Sequence, residues 1–196
     1  MISRKRVGIL ISGRGSNMSA LIKAAKSPDY PAEIVGVLSN RAAARGLAVA
    51  AAEGIATASL AQSRFPSRDM FEDVMTQTLE SWGVELVCLA GFMRIVGDDF
   101  VNHWAGRMIN IHPSLLPLYR GLHTYERALA DGVTTHGCTV HFVTPGLDEG
   151  PAILQAEVPV LPHDTPETLA ARVLVEEHRI YPEALRLVAT RKVVMT

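Results

Sequence analysis

The stretch "VELVCLAGF", residues 84–92, is apolar almost throughout, and this restricts the fold more than any other feature of the chain. A strand with one face in water alternates apolar and polar residues. An apolar run of this kind, broken only by Glu85 near its start, belongs where both faces are covered, as in the interior of a parallel sheet. Residues 7–11 and 34–38 carry the same signal, and the spacing predicts helices over 18–26 and 42–53 after them. An extended piece at 56–60 precedes "PSRDMFEDVMTQTLESW", where Phe71, Val74, Met75, Leu79 and Trp82 recur at helical spacing behind an N-cap at Ser67. A short helix at 99–104 and another buried strand at 108–111 follow. Strands alternating with helices predict an α/β fold with a doubly wound, mostly parallel sheet.

The rhythm changes in the last third. "GCTVHFV" and "ILQAEVPV" follow one another with no helix between them, which predicts antiparallel strands appended to the parallel sheet. Thr165 and Pro166 start a long helix as cap and first-turn proline, and Pro182 is expected to end or kink it. The closing "KVVMT" reads as a last edge strand.

In such a sheet, ligands bind outside the carboxyl ends of strands, and three constellations fall there. The first is "ISGRGSN", residues 11–17: Gly13 and Gly15 permit a tight turn, and the amides of Gly15, Ser16 and Asn17 open the first helix as an anion seat. Met18 stands at the third glycine position of a dinucleotide fingerprint, Asn40 and Arg41 replace an acidic ribose ligand, and no Gly-Lys-Ser/Thr ending makes a Walker loop. A single phosphate or a purely structural turn both fit. The second constellation is "MINIHPSLLP": residues two apart share a face of a strand, so Asn110 and His112 project together, and Pro113 keeps His112 extended at the strand tip. Asp148 in "VTPGLDEGP" is the third, either an ordinary turn former or the partner of a histidine. A carboxylate beside an imidazole favours the imidazolium, and an asparagine amide adds an uncharged donor. Together they equip a site for acyl transfer through a tetrahedral intermediate. Neither a serine elbow nor a cysteine nucleophile accompanies them, so direct transfer between two bound substrates fits better than a covalent acyl-enzyme.

Composition narrows the partner. The 196 residues, 48% of them hydrophobic, suffice for one domain with a substantial core. A net charge of -1 with no long basic run argues against nucleic acid or an anionic membrane and for small molecules. No apolar run is long enough to span a bilayer, and the amino-terminal one is too short for a signal peptide. Cys88 and Cys138 lie in apolar surroundings without paired ligand spacing, so a reduced, cytoplasmic protein is expected. His123, His136 and His141 around Cys138 match no zinc pattern. His136 and His141 read as core or loop polar groups, and no metal is expected.

With these residues assembled, the chain resembles the phosphoribosylglycinamide formyltransferases, the folate-dependent family of purine synthesis. The resemblance runs from Val7 to about Pro182 through "ILISGRGSN", "LAGFMRI", "INIHPSLLP", "GLHT", "HGCTVHFVT", "LDEGPAILQ" and "EEHRIYP". It implies transfer of a formyl group from 10-formyltetrahydrofolate to the amine of 5-phosphoribosylglycinamide, with Asn110, His112 and Asp148 as the catalytic trio. Gly15, Ser16 and Asn17 would hold the ribonucleotide phosphate and Glu177 the rest of that substrate. The resemblance assigns the folate site to Arg68, to Met93, Arg94, Ile95 and Val96, to Thr144, Pro145, Gly146 and Leu147, and to Asn110 and Asp148. The single domain, 1–196, would then divide into a phosphate-binding half, about 1–105, and a catalytic and folate-binding half, about 106–196. The segment "HPSLLPLYRGLHTYERAL" would be free to move over bound folate.

Two positions depart from the pattern. Leu174 stands where relatives carry Gln or Lys toward the nucleotide, and Glu149 stands where Gly or Ala is usual, giving a "LDEG" also found in formyltetrahydrofolate deformylase. The alternatives are that deformylase, whose family adds an amino-terminal regulatory domain, a methionyl-tRNA formyltransferase, which adds a carboxyl-terminal tRNA-binding domain, and a non-catalytic folate- or nucleotide-binding module. A dehydrogenase is disfavoured by the failed fingerprint. Pairing as a homodimer is left open.

Overall fold

The computed structural model describes residues 4–195 and builds one seven-stranded sheet around which six α-helices pack. In chain order the elements are β1 (Lys5–Ile11), α1 (Ser16–Ala25), β2 (Ala32–Ser39), α2 (Arg45–Ala52), β3 (Ala56–Ser59), α3 (Arg68–Ser81) and β4 (Leu86–Leu89). Then come α4 (Asp98–His103), β5 (Met108–His112), α5 (Thr124–Ala130), β6 (Thr135–Phe142), β7 (Ala152–Pro159) and α6 (Pro166–Ala189). The strand order is β3-β2-β1-β4-β5-β6-β7. Strands β1 to β5 are parallel to their neighbours, while β5–β6 and β6–β7 are antiparallel, as the change of rhythm predicts.

The apolar runs are covered on both faces. Val7, Ile9, Ile11, Cys88, Ile109, Ile111 and Val140 meet Met18 and Leu21 of α1 and Val173, Tyr181 and Leu185 of α6. On the opposite face Leu10, Leu38, Val87 and Met108 pack on Phe71, Met75 and Leu79 of α3 and Phe100 and Val101 of α4. Ser67 caps α3 by accepting from the Met70 amide, and Thr165 exchanges bonds with Thr168 in a capping box on α6.

The structure departs from the sequence reading in three places. Pro182 does not end α6, which continues to Ala189. Proline has no N–H and costs a helix interior about 3 kcal/mol, but here Ile180, Tyr181, Ala184, Leu185 and Val188 bury the continuation of the same face. The closing "KVVMT" forms no strand over its described residues, 192–195: the Lys192 and Val193 amides bond back to the Leu187 carbonyl at the end of α6; Thr196 lies outside the described residues. The third is α5, a helix between β5 and β6 that the sequence reading did not assign, too short at seven residues for its periodicity to stand out. No described helix is long and apolar enough to cross a membrane.

The topology places the site. Strands β2 and β3 lie on one side of β1, and β4 and β5 on the other, so the order reverses between β1 and β4. The loops after β1, β4 and β5 therefore gather at the carboxyl edge beside this switch point.

Candidate active site

After β1 the chain turns at Gly15, whose φ of 73° is left-handed, and α1 begins at Ser16 without a side-chain cap. A Cβ on Gly15 would sit 3.0 Å from the Met18 methyl and 3.3 Å from the Gly46 backbone, so the turn needs glycine for both dihedral and space. The first-turn amides, including those of Ser16 and Asn17, have no helical acceptor and face the carboxyl edge. The Asn17 side chain points elsewhere: its Nδ2 donates to Glu177 Oε2 of α6 at 2.7 Å. Burial pushes the Glu177 carboxyl up from its ordinary value, and the Asn17 bond opposes this only in part. Asn17 Oδ1 is buried with no partner.

Ser12 ties the next loop to this edge. Its hydroxyl donates to Asn40 Oδ1 at the end of β2 and accepts from the Met93 amide at 2.8 Å, fixing the start of the segment after β4. Farther along this segment, Ile95 and Val96 line a cavity of about 310 Å³ with Arg68, Glu72, Asp98, Asp99 and Pro145. Glu72 accepts from the Gly97 amide at 2.8 Å beside Arg68, and burial raises its carboxyl above the ordinary range. Thus Arg68, Ile95, Val96 and Pro145, far apart in sequence, share one wall. Met93, Arg94, Thr144, Gly146 and Leu147 do not line that cavity, and Met93, Ile95 and Leu147 expose their apolar side chains nearby.

The catalytic candidates meet through antiparallel register. Asn110 pairs across β5–β6 with His141, and His112 with Thr139, so all four project to one side. Asn110 Nδ2 lies 3.2 Å from His141 Nε2, and His141 Nδ1 lies 2.9 Å from the Phe142 carbonyl. A carbonyl only accepts, which places the proton of a neutral His141 on Nδ1 and leaves Nε2 to accept from Asn110. Burial lowers the His141 pKa, outweighing the Phe142 bond and the Asp148 charge, and so keeps this ring neutral. The Asn110 amide is thereby oriented, with a second Nδ2 hydrogen still available.

His112 is held differently. Its Nε2 donates to the Tyr119 carbonyl at 2.9 Å, while Nδ1 lies 3.4 Å from Asp148 Oδ2. Both ring nitrogens thus face oxygen atoms, the Tyr119 carbonyl at hydrogen-bond distance and the Asp148 carboxylate farther off. Asp148, at φ 51°, also accepts from the Gly121 amide at 2.9 Å, and its other oxygen lies 3.8 Å from His141. The trio is thus a quartet. His141 is a buried polar group, as expected from sequence, but its partner was not foreseen. It sits on β6, buried, and bonds Asn110; only the β5–β6 register, invisible in the sequence, could have found it. His136, buried on the same strand, fits the expectation of a core polar group, with Nε2 donating to the Pro113 carbonyl at 3.0 Å.

Chemically, the edge offers backbone amides without helical acceptors at the start of α1, a mostly polar cavity after β4, and the side-chain N–H groups of Asn110 and His112 on β5. No group of three or more histidine, cysteine or acidic side chains among the described residues is arranged to hold a metal ion.

Comparison with known proteins agrees with this arrangement. The formyl transferase family matches residues 5–185. The chain is 50% identical over 189 residues to the trifunctional purine biosynthetic protein adenosine-3 of Drosophila pseudoobscura pseudoobscura, covering 95% of this chain but only 14% of that protein's length. It is 49% identical over 174 residues to the phosphoribosylglycinamide formyltransferase of Escherichia coli K12, covering 89% of this chain and 82% of the other. The crystal structure of phosphoribosylglycinamide formyltransferase from Brucella melitensis superposes with a TM-score of 0.91 at 54% identity, covering 95% of this chain and 96% of that one.

Proposed function

Because the chain belongs to the formyl transferase family, we propose that it transfers the formyl group of 10-formyltetrahydrofolate to the amine of 5-phosphoribosylglycinamide, in the cytoplasm. The observation that supports the reading is the cluster of Asn110 and His112 with His141 and Asp148, on the same sheet edge as the glycine turn before α1 and a separate cavity. Two substrates need two seats.

In this reading the amides at the start of α1, those of Ser16 and Asn17, receive the ribonucleotide phosphate, and Glu177 faces its sugar portion. Arg68, Ile95, Val96 and Pro145, with the neighbouring residues 93–94 and 144–148, take the folate. The substrate amine attacks the formyl carbon and its carbon–oxygen double bond opens. The free Nδ2 hydrogen of Asn110 and an N–H of His112 then stabilise the negative oxygen. Asp148 holds the His112 ring in its doubly protonated orientation. Collapse of the tetrahedral intermediate restores the double bond and breaks the bond to the folate nitrogen, which leaves with a proton. For His112 to reach the substrate oxygen while Asp148 keeps its Nδ1, the Nε2–H must leave the Tyr119 carbonyl.

The test is the absorbance change on loss of the formyl group from 10-formyltetrahydrofolate or its dideaza analogue, with and without 5-phosphoribosylglycinamide. Amine-dependent loss supports the transferase. Loss without the amine overturns it in favour of hydrolysis, and no loss leaves a binding module. His112→Ala should lower kcat by about 10²- to 10⁴-fold while leaving substrate affinity within a few-fold.

A further inference from the structure

Residues 119–121 lie across the His112–Asp148 pair and touch it with backbone alone: the Tyr119 carbonyl takes the His112 Nε2 proton and the Gly121 amide donates to Asp148 Oδ2. Arg127 supports this strap from α5, its Nη1 donating to the Arg120 carbonyl at 2.6 Å and the Leu122 carbonyl at 3.2 Å. None of these bonds ties the strap to the β6–β7 loop except through Asp148 itself.

One side-chain pair does. Arg120 Nη1 meets Glu149 Oε1 at 2.7 Å. Arg120 lies between the two strap residues that touch the pair, and Glu149 is the neighbour of Asp148. The Glu149 side chain folds back over Gly146, where a Cβ would come within 2.1 Å of its carboxylate. Only glycine at 146 leaves Glu149 this course. Asp148 meanwhile holds a left-handed backbone that an aspartate tolerates but does not favour, so its position depends on what holds the loop. The reaction as derived gives Glu149 no task.

We propose that Arg120 and Glu149 are positioning residues, an ionic latch that sets the distance between the strap and the Asp148 loop and so the geometry of the His112–Asp148 pair. Its activity readout rests on the formyl-transfer reading above. Both side chains are about half exposed, so the latch is weak: a pair of this kind corresponds to about a two- to fivefold effect, screened by salt.

The experiment is a double-mutant cycle, Arg120→Gln and Glu149→Gln, with the charge-swapped Arg120→Glu/Glu149→Arg protein. Each single variant should lower kcat by about two- to fivefold at low salt, with KM for the ribonucleotide unchanged. The double variant should be no worse than either single one, the swap should recover most of the loss, and molar salt should bring the wild type to the level of the single variants. Single effects that multiply in the double variant, or kcat unchanged throughout, would overturn the proposal. Hydrogen exchange at the Gly121 amide gives a readout independent of turnover: it should quicken in Glu149→Gln, and unchanged exchange would also overturn the latch. A wild type without amine-dependent formyl loss sinks the transfer reading alone, since the exchange measurement still decides the latch.

Discussion

Asn110 and His141 show how one buried ring decides what a neighbouring amide can do. With Nδ1 committed to the Phe142 carbonyl, His141 Nε2 can only accept, and Asn110 must present Nδ2. In His141→Phe the amide loses its anchor, and we expect kcat to fall by about tenfold to a hundredfold, short of the full loss of an oxyanion donor. The KM for the ribonucleotide should hold, and steady-state kinetics well below the melting temperature check both. Glu177 poses the opposite case, a carboxylate buried against an asparagine whose Oδ1 lacks a donor. Glu177→Gln removes the buried charge and adds N–H groups, so it should raise Tm at neutral pH while weakening ribonucleotide binding. The sign follows from the raised native pKa. The cost of ionising Glu177 is absent below the ordinary glutamate value and complete above the native one, so the gain in Tm should grow with pH and vanish toward pH 4.5. Asn110, His112 and Asp148 were legible as residues because polar groups at the ends of apolar strands stand out. His141 was not, because its meaning depends on a partner 31 positions away.

At the scale of elements, α6 departs furthest from a local reading. Its interior Pro182 removes the donor to the His178 carbonyl, yet the helix persists because one face is buried over its whole length; the Tyr30 hydroxyl also donates to the Pro182 carbonyl at 2.6 Å. Tyr181, fully buried, sends its hydroxyl to the carbonyls of Leu89 at 2.8 Å, at the carboxyl end of β4, and of Ile109 at 3.2 Å, within β5. Tyr181→Phe leaves these carbonyls without that donor in a dry interior and should cost about 1–3 kcal/mol in urea unfolding. It should lower activity as well, because β4 and β5 are no longer pinned at that edge. The strands and the longer helices were visible as periodicity. The seven residues of α5, flanked by turns, were too few to show it.

For the whole molecule, pH couples the site to stability. Burial lowers the pKa of His136, His141 and His178 below the ordinary histidine value. The unfolded chain therefore binds their protons first, and stability should begin to fall as pH drops through 6.5, ahead of the ordinary carboxylate range. Glu72 and Glu177, whose native values are raised, act in the opposite sense below that point. Urea midpoints between pH 7.5 and 5 should therefore decline gently in the wild type and more steeply in Glu177→Gln, where one opposing carboxylate is gone. A flat midpoint in both proteins would contradict the assignment of neutral buried histidines.

The sequence by itself determined the layered α/β architecture, the parallel-to-antiparallel change and the candidate residues at strand ends. Each of these is written locally, in side-chain period, in turn residues and in polar groups that interrupt apolar runs. Only the tertiary structure decided that His141 orients Asn110, that Asn17 turns away to Glu177, that α6 runs through its proline and that Arg120 meets Glu149. Those are contacts between residues distant in the chain, and their energies arise from burial and register, which exist only once the sheet has formed.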